Sequence, residues 1–267
     1  MLGRGRVAPA AIAATLLLAS FALAAPPRVA PKRAAPGAYR SAVQRWHDAT
    51  PGAAAPRDEA GRPLLVLVAL NTGERAELRA ATDDGGFDAA GAERAAELLR
   101  DPRAGLRHPI EPALLDLVYR AQRRFESAEI RVISGYRAPK AAARSNHGRG
   151  RAIDLVVPGA TDEAVATWAR EVGFVGVGIY PRSGFCHLDV RSTSHFWVDA
   201  SGPGQRSRET PLRGSHPAKS DENARRRGAR AIAPFAPPTN DVDAAFRGLG
   251  RPTPSEETLH PEEDDDR

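Results

Sequence analysis

The chain contains a single cysteine, Cys186, in 267 residues. One thiol excludes an internal disulfide framework and any multi-cysteine zinc knuckle, so a metal site would have to be built from histidines and carboxylates. Aromatic residues make up only 6% of the chain, against 24 Gly and 23 Pro, a balance that predicts some sequence outside any packed core. No second long apolar run follows the amino-terminal stretch, which argues against a multispanning membrane protein. Charge of one sign is also scarce: 38 Lys and Arg face 33 Asp and Glu, for a net +5. The arginines are scattered, and no aromatic stacking set accompanies the run Arg225 to Arg230, so nucleic acid is not an expected partner.

Residues 1–24 place Arg4 and Arg6 ahead of an apolar segment ending in Ala22-Leu23-Ala24, the pattern of a secretory signal cleaved after Ala24. Pro9 interrupts it, and a spanning helix needs ~20 apolar residues. The expected product is a soluble, exported monomer with no stable membrane span after signal cleavage, periplasmic or released into the medium. Residues 25–62 form a Pro/Ala-rich linker in which Tyr39, Val43 and Trp46, spaced i, i+4, i+7, predict one short docking helix. Residues 63–199 carry the apolar periodicity of a working domain. Residues 200–267 are again rich in Pro and Gly and end in Glu262-Glu263-Asp264-Asp265-Asp266, which predicts a disordered tail.

Within the domain, Leu64 to Leu70, the turn Asn71-Thr72-Gly73-Glu74 and the alternating Arg75 to Leu78 predict a hairpin. Helical spacing covers Ala89 to Arg100 and the stretch after Pro112, which suits a first helical position. Strand-like runs follow at 130–134, 152–157, 174–180 and 185–190, with a helix capped by Thr161 over 162–172. The fold class expected is α+β, with a mostly antiparallel central sheet and flanking helices.

The chemistry concentrates in two stretches. In Ser145-Asn146-His147-Gly148-Arg149-Gly150-Arg151-Ala152-Ile153-Asp154, a loop histidine precedes an aspartate inside an apolar strand run. Period-two alternation sets Ile153, Leu155 and Val157 on one face and Asp154 on the other, and an unpaired buried carboxylate is costly unless something such as a metal ion compensates it. In Phe185-Cys186-His187-Leu188-Asp189-Val190, alternation sets His187 and Asp189 on one face and Cys186 on the opposite one. Two histidines and one carboxylate make a ligand set for catalytic zinc. Singly, each piece has a plainer reading: His147 as an exposed loop residue, Asp154 paired with an arginine, His187 as a core histidine. Cys186 and His187 point apart, so a cysteine nucleophile is not favoured.

The pattern Ser-x-His-x-x-Gly-x-Ala-x-Asp from Ser145 to Asp154, followed by a late strand histidine, resembles the zinc D-Ala-D-Ala peptidase and Hedgehog-like superfamily. Its exported murein endopeptidase branch is matched more closely, at Leu70 to Glu74, Ser134-Gly135-Tyr136-Arg137, Gly178 to Ser183 and His187-Leu188-Asp189. The resemblance spans about Leu64 to Trp197. It implies an α+β peptidase with one Zn2+ per chain held by His147, Asp154 and His187, and the peptide stems of peptidoglycan as partner. It further implies that Arg137 holds a substrate carboxylate or steadies an oxyanion, and that Ser145 hydrogen-bonds substrate, although a turn serine also serves as a local cap.

Two departures from the resemblance stand out. Several relatives place an acidic base three residues before the last ligand, where this chain has Gly184. Asp189 is then the expected substitute base, its alternative role being to orient His187. The segment between Arg137 and His147 is also short. A carboxypeptidase acting on D-Ala-D-Ala ends, or a zinc-stabilised binding module without turnover, are the competing expectations. His195 could be mistaken for the third ligand, and His47, His108, His216 and His260 have no carboxylate at ligand spacing.

Overall fold

The computed structural model describes residues 36–138 and 145–234. The expected signal segment, the carboxy-terminal acidic run and most of the short segment between Arg137 and His147 lie outside the described residues. In chain order the elements are α1 (Pro36–His47), β1 (Leu65–Ala69), β2 (Arg75–Leu78), β3 (Ala80–Thr82), β4 (Gly85–Phe87), α2 (Ala89–Leu98), α3 (Pro112–Arg124) and β5 (Ile130–Ser134). A 3-10 turn at Asn146–Arg149 then leads into β6 (Ala152–Val156), α4 (Asp162–Val172), β7 (Val175–Tyr180), β8 (Phe185–Val190), β9 (His195–Asp199), β10 (Glu209–Pro211) and α5 (Pro217–Arg226).

Local chemistry sets these boundaries. Asp88 caps α2 by accepting from Gly91 N, Pro112 opens α3, and Thr161 Oγ1 accepts from Ala164 N at 3.2 Å to start α4. The order of the main sheet is β10-β9-β7-β8-β6-β5-β1-β2. Antiparallel pairing dominates, but β1–β5 and β7–β9 are parallel, so the sheet is mixed. Alternation tells which face a residue takes and is silent on strand direction, which is why these two pairs were not legible. The β8–β9 connection crosses the end of the sheet at the start of β7, where Arg191 N donates to Phe174 O at 2.9 Å.

The apolar faces of the central strands, with Ile153, Leu155, Val177, Cys186 and Leu188 each at most 1% exposed, pack against α3 and α4 to form the core. Burial of that face is the main source of stability, at roughly 25 cal/mol per Å² of apolar surface removed from water. On the flank, Tyr39 Oη of α1 donates to Ser183 O at 2.8 Å, and Arg131 donates to the carbonyls of Arg45, Trp46 and Asp48 at the end of that helix. This seats α1 against the β7–β8 hairpin.

Of the tail expected to be disordered from residue 200, the described part up to residue 234 forms β10 and α5, and the remainder lies outside the described residues. The Asp221 carboxylate on α5 accepts from Phe174 N at 2.7 Å, Ser194 N at 2.9 Å and Ser194 Oγ at 2.6 Å. Ala224 is fully buried on the same helix, and the Arg225 guanidinium lies 5.1 Å from the Phe174 ring centroid. A helix this polar adheres through specific partners rather than an apolar stripe, so its periodicity gave no signal. Among the described residues no helix is long and apolar enough to cross a membrane.

Candidate metal centre

Register brings the two chemical stretches together. Across the sheet one row runs Ser134, Asp154, His187, Gly178, Trp197, each opposite the next on its neighbouring strand. Asp154 and His187 therefore stand side by side on the face away from the core. The third member comes from the 3-10 turn, which Ser145 starts by accepting from His147 N at 3.3 Å. Gly150 ends that turn with φ +64°, and a Cβ there would fall 2.1 Å from Pro109 O, so only glycine fits.

Three atoms converge: His147 Nε2, Asp154 Oδ1 and His187 Nδ1, separated by 3.3 Å, 2.8 Å and 3.2 Å. All three residues are buried. A tetrahedral ion with ~2.0–2.1 Å bonds has ligand–ligand edges of about 3.3 Å, which this triangle closely approaches. The far ring nitrogens are equally telling. His147 Nδ1 faces Gly135 O at 2.7 Å, and His187 Nε2 faces Asp189 Oδ2 at 3.0 Å. Each of those partners accepts, so the far nitrogens carry protons and the near ones are left to bind a metal ion or a competing proton. Two imidazole nitrogens and a carboxylate meeting at one point favour positive charge there, and the donor set fits a divalent metal with an open fourth position.

The electrostatics agree. Burial alone would raise the Asp154 carboxyl, but His147 and His187 outweigh it and hold the group well below the usual carboxylate range. Burial lowers His147. Burial also opposes charge on His187, yet its hydrogen bonds to Asp154 and Asp189 prevail and push it up to about 9. The cluster thus attracts positive charge, and a proton and a metal ion compete for it.

Residues 58–196 match the family model described as peptidoglycan L,D-endopeptidase MepK. The chain belongs to this peptidase family. It is 33% identical over 142 residues to the probable peptidoglycan L,D-endopeptidase MepK of Haemophilus influenzae, covering 48% of this chain and 75% of the relative. It is 31% identical over 146 residues to the peptidoglycan L,D-endopeptidase MepK of Escherichia coli K12, covering 50% and 79%. No solved structure matches the chain at a significant level.

The surroundings of Asp189, the expected base, fit its alternative role of orienting His187. Its carboxylate sits behind the His187 ring, on the nitrogen that faces away from the three-atom centre. Arg191 Nε donates to Oδ1 at 2.6 Å, Arg191 Nη2 to Oδ2, and Gly176 N to Oδ1 at 3.2 Å. Burial would raise Asp189, but His187 and Arg191 hold it well below the ordinary range, and its contact with the far nitrogen of His187 is the geometry of an orienting group. Gly184 offers no alternative. Its φ is +67° and a Cβ would fall 2.2 Å from Val43 Cγ1 of α1, so the position faces the helix and not the centre.

Arg137 Nε donates to Ser134 Oγ at 2.8 Å and Nη2 to Asp154 Oδ2, while about half of its side chain stays exposed at the cleft. The centre opens into a cleft of about 590 Å³ that Tyr180, Phe185, His195 and Trp197 also line, with the Trp197 ring 5.1 Å from that of His187. His195 lies two strands from His187 and stacks on Trp197 at 5.3 Å, outside the three-atom group. Cys186 is fully buried on the core face and burial pushes its thiol well up, which rules out a thiolate nucleophile. The sequence reasoning missed Arg191, Trp197 and the wall function of Tyr180. The Gly176/Gly178 alternation in β7 was the available signal, since glycines inside a strand mark close approach of other groups.

Proposed function

We propose that this chain is an exported, zinc-dependent murein endopeptidase that hydrolyses peptide crosslinks of peptidoglycan. The observation that carries the reading is the convergence of His147 Nε2, Asp154 Oδ1 and His187 Nδ1 within 3.3 Å, in a chain whose relatives are named peptidoglycan L,D-endopeptidases. When bound, zinc would supply Lewis-acid polarisation of the scissile carbonyl and activation of water near neutral pH. The chain's own residues do the positioning. Gly135 O and Asp189 fix the two histidine rings, Arg191 fixes Asp189, and Ser145 fixes the turn that delivers His147.

Arg137, paired with Asp154 but open to the cleft, is placed to meet a stem-peptide carboxylate. The basic-then-apolar segment at residues 1–24 supports export to the periplasm. The test is product analysis by mass, using purified crosslinked muropeptide dimers and soluble monomeric pentapeptides as separate substrates. Release of monomers from dimers supports the endopeptidase. Loss of one terminal residue from pentapeptides alone would make the chain a carboxypeptidase, and zinc binding with neither reaction would make it a binding module.

A further inference from the structure

The cleft at the metal centre contains, beside His187, a hydrogen-bond donor whose orientation is fixed by its neighbours. Trp197 is 6% exposed and its indole Nε1–H can only donate. It donates to Tyr180 Oη at 3.3 Å. The phenol oxygen is thereby used as an acceptor, and its own O–H must turn elsewhere. The Tyr180 ring cannot turn with it, because it stacks on Phe185 with centroids 4.5 Å apart and planes at 17°.

Position follows from the register. Gly178 stands opposite His187 on one side and Trp197 on the other. A Cβ at Gly178 would fall 2.7 Å from Trp197 Nε1, so the indole nitrogen occupies the space beside His187 that a side chain would otherwise fill. Tyr180 Oη, hydrogen-bonded to that nitrogen, hangs over the same cleft that Asp154, His147 and His187 line. Burial pushes the phenol up to about 12, so it keeps its proton throughout the neutral range.

We propose that Tyr180 is a catalytic residue of the peptidase reaction, donating its O–H to the oxyanion that forms when the scissile amide carbonyl becomes tetrahedral. The role rests on the endopeptidase reading. In the reaction, water oxygen adds to the carbonyl carbon and the C=O electron pair moves to the carbonyl oxygen. Collapse then restores C=O, breaks C–N and gives the amine the proton lost by water. Tyr180 forms no covalent bond and gives up no proton; its hydrogen bond strengthens only while the negative charge exists. Arg137 donates through Nε and Nη2 to Ser134 and Asp154 at the Asp154 end of the row, and Tyr180 supplies a second donor at the Trp197 end of the same cleft.

The experiment compares wild type, Tyr180→Phe, Trp197→Phe and the double variant, all zinc-loaded. It uses a crosslinked muropeptide dimer as substrate, a phosphinate dipeptide isostere as tetrahedral probe and the cleaved stem peptide as product. For Tyr180→Phe the expected result is unchanged zinc content, KM within a few-fold of wild type, and kcat lower on the order of 10²-fold. Phosphinate affinity should fall by a comparable factor and product affinity should stay level. The double variant removes the indole donor that Tyr180→Phe orphans, and it should still be far slower than Trp197→Phe alone. Unchanged kcat, equal weakening of phosphinate and product, or a double variant no slower than Trp197→Phe would each overturn the role. An inactive wild type would instead overturn the endopeptidase reading and this role with it.

Discussion

The two faces of β6 and β8 are buried alike and held by different physics. On one face Leu155, Cys186 and Leu188 are fully buried; on the other Asp154 is 2% exposed, Asp189 1% and His187 7%. The apolar face gains from leaving water whatever its neighbour, provided the space is filled. The polar face gains nothing from burial, and each group on it is stable only because a named partner is in place: Arg137 for Asp154, Arg191 and Gly176 N for Asp189, and both carboxylates for His187. One face makes the domain fold, and the other makes a centre that favours positive charge. The comparison implies that the two faces respond to substitution through different observables.

The largest break should come from the apolar face. Leu188→Ala should cost about 2–5 kcal/mol of stability in chemical denaturation, while the protein that remains folded binds zinc as the wild type does. Equal loss of zinc affinity in that folded fraction would show that the faces are not separable. Asp189→Asn should differ in kind: it costs stability by leaving Arg191 and His187 without their buried carboxylate, and it also lowers zinc affinity by about 10–100-fold, because the group that orients His187 is weakened. Excess zinc should then restore most of the turnover; a fully metallated but inactive Asp189→Asn would return Asp189 to the role of base.

The smallest effect expected lies at the docking site of α1. Burial raises the Asp162 carboxyl to about 6, against the opposing influence of His47. A raised folded value means that the folded state binds more protons than the unfolded one between about pH 4 and 6. The stability that this proton binding provides is complete below about pH 4 and is lost as pH rises through about 6. Asp162→Asn should therefore be more stable than wild type by about 1–2 kcal/mol above pH 6, with the gain vanishing near pH 4. Urea titrations at the two pH values check the sign, and a gain that is equal at both would contradict it.

Much of this was legible in one dimension. Alternation placed Asp154, His187 and Asp189 on one face and Cys186 on the other, and the hairpin at β1–β2, helices α2 to α4 and strands β5 to β8 followed from periodicity and caps. Strand order was not legible, and with it went everything that depends on cross-strand neighbours. The parallel β1–β5 and β7–β9 pairs, the placing of Trp197 over Gly178 and the turning of Asp189 away from the centre are all of that kind. Two residues on one strand face share a side of the sheet, but which nitrogen of His187 meets which carboxylate is decided by β6, β7 and the arginine at Arg191. Helix α5 escaped notice because specific contacts, chiefly those of the buried Asp221 carboxylate, hold it in place of an apolar stripe.

The central claim is that His147, Asp154 and His187 hold a metal ion on which crosslink hydrolysis depends. Its most direct test is digestion of crosslinked muropeptides by the chelator-stripped protein, before and after addition of one equivalent of zinc, alongside His147→Ala and His187→Ala. The account predicts no monomer release from the stripped protein, recovery with stoichiometric zinc, and neither zinc binding nor release in the two variants. Undiminished hydrolysis by stripped protein, or by either histidine variant, would contradict it.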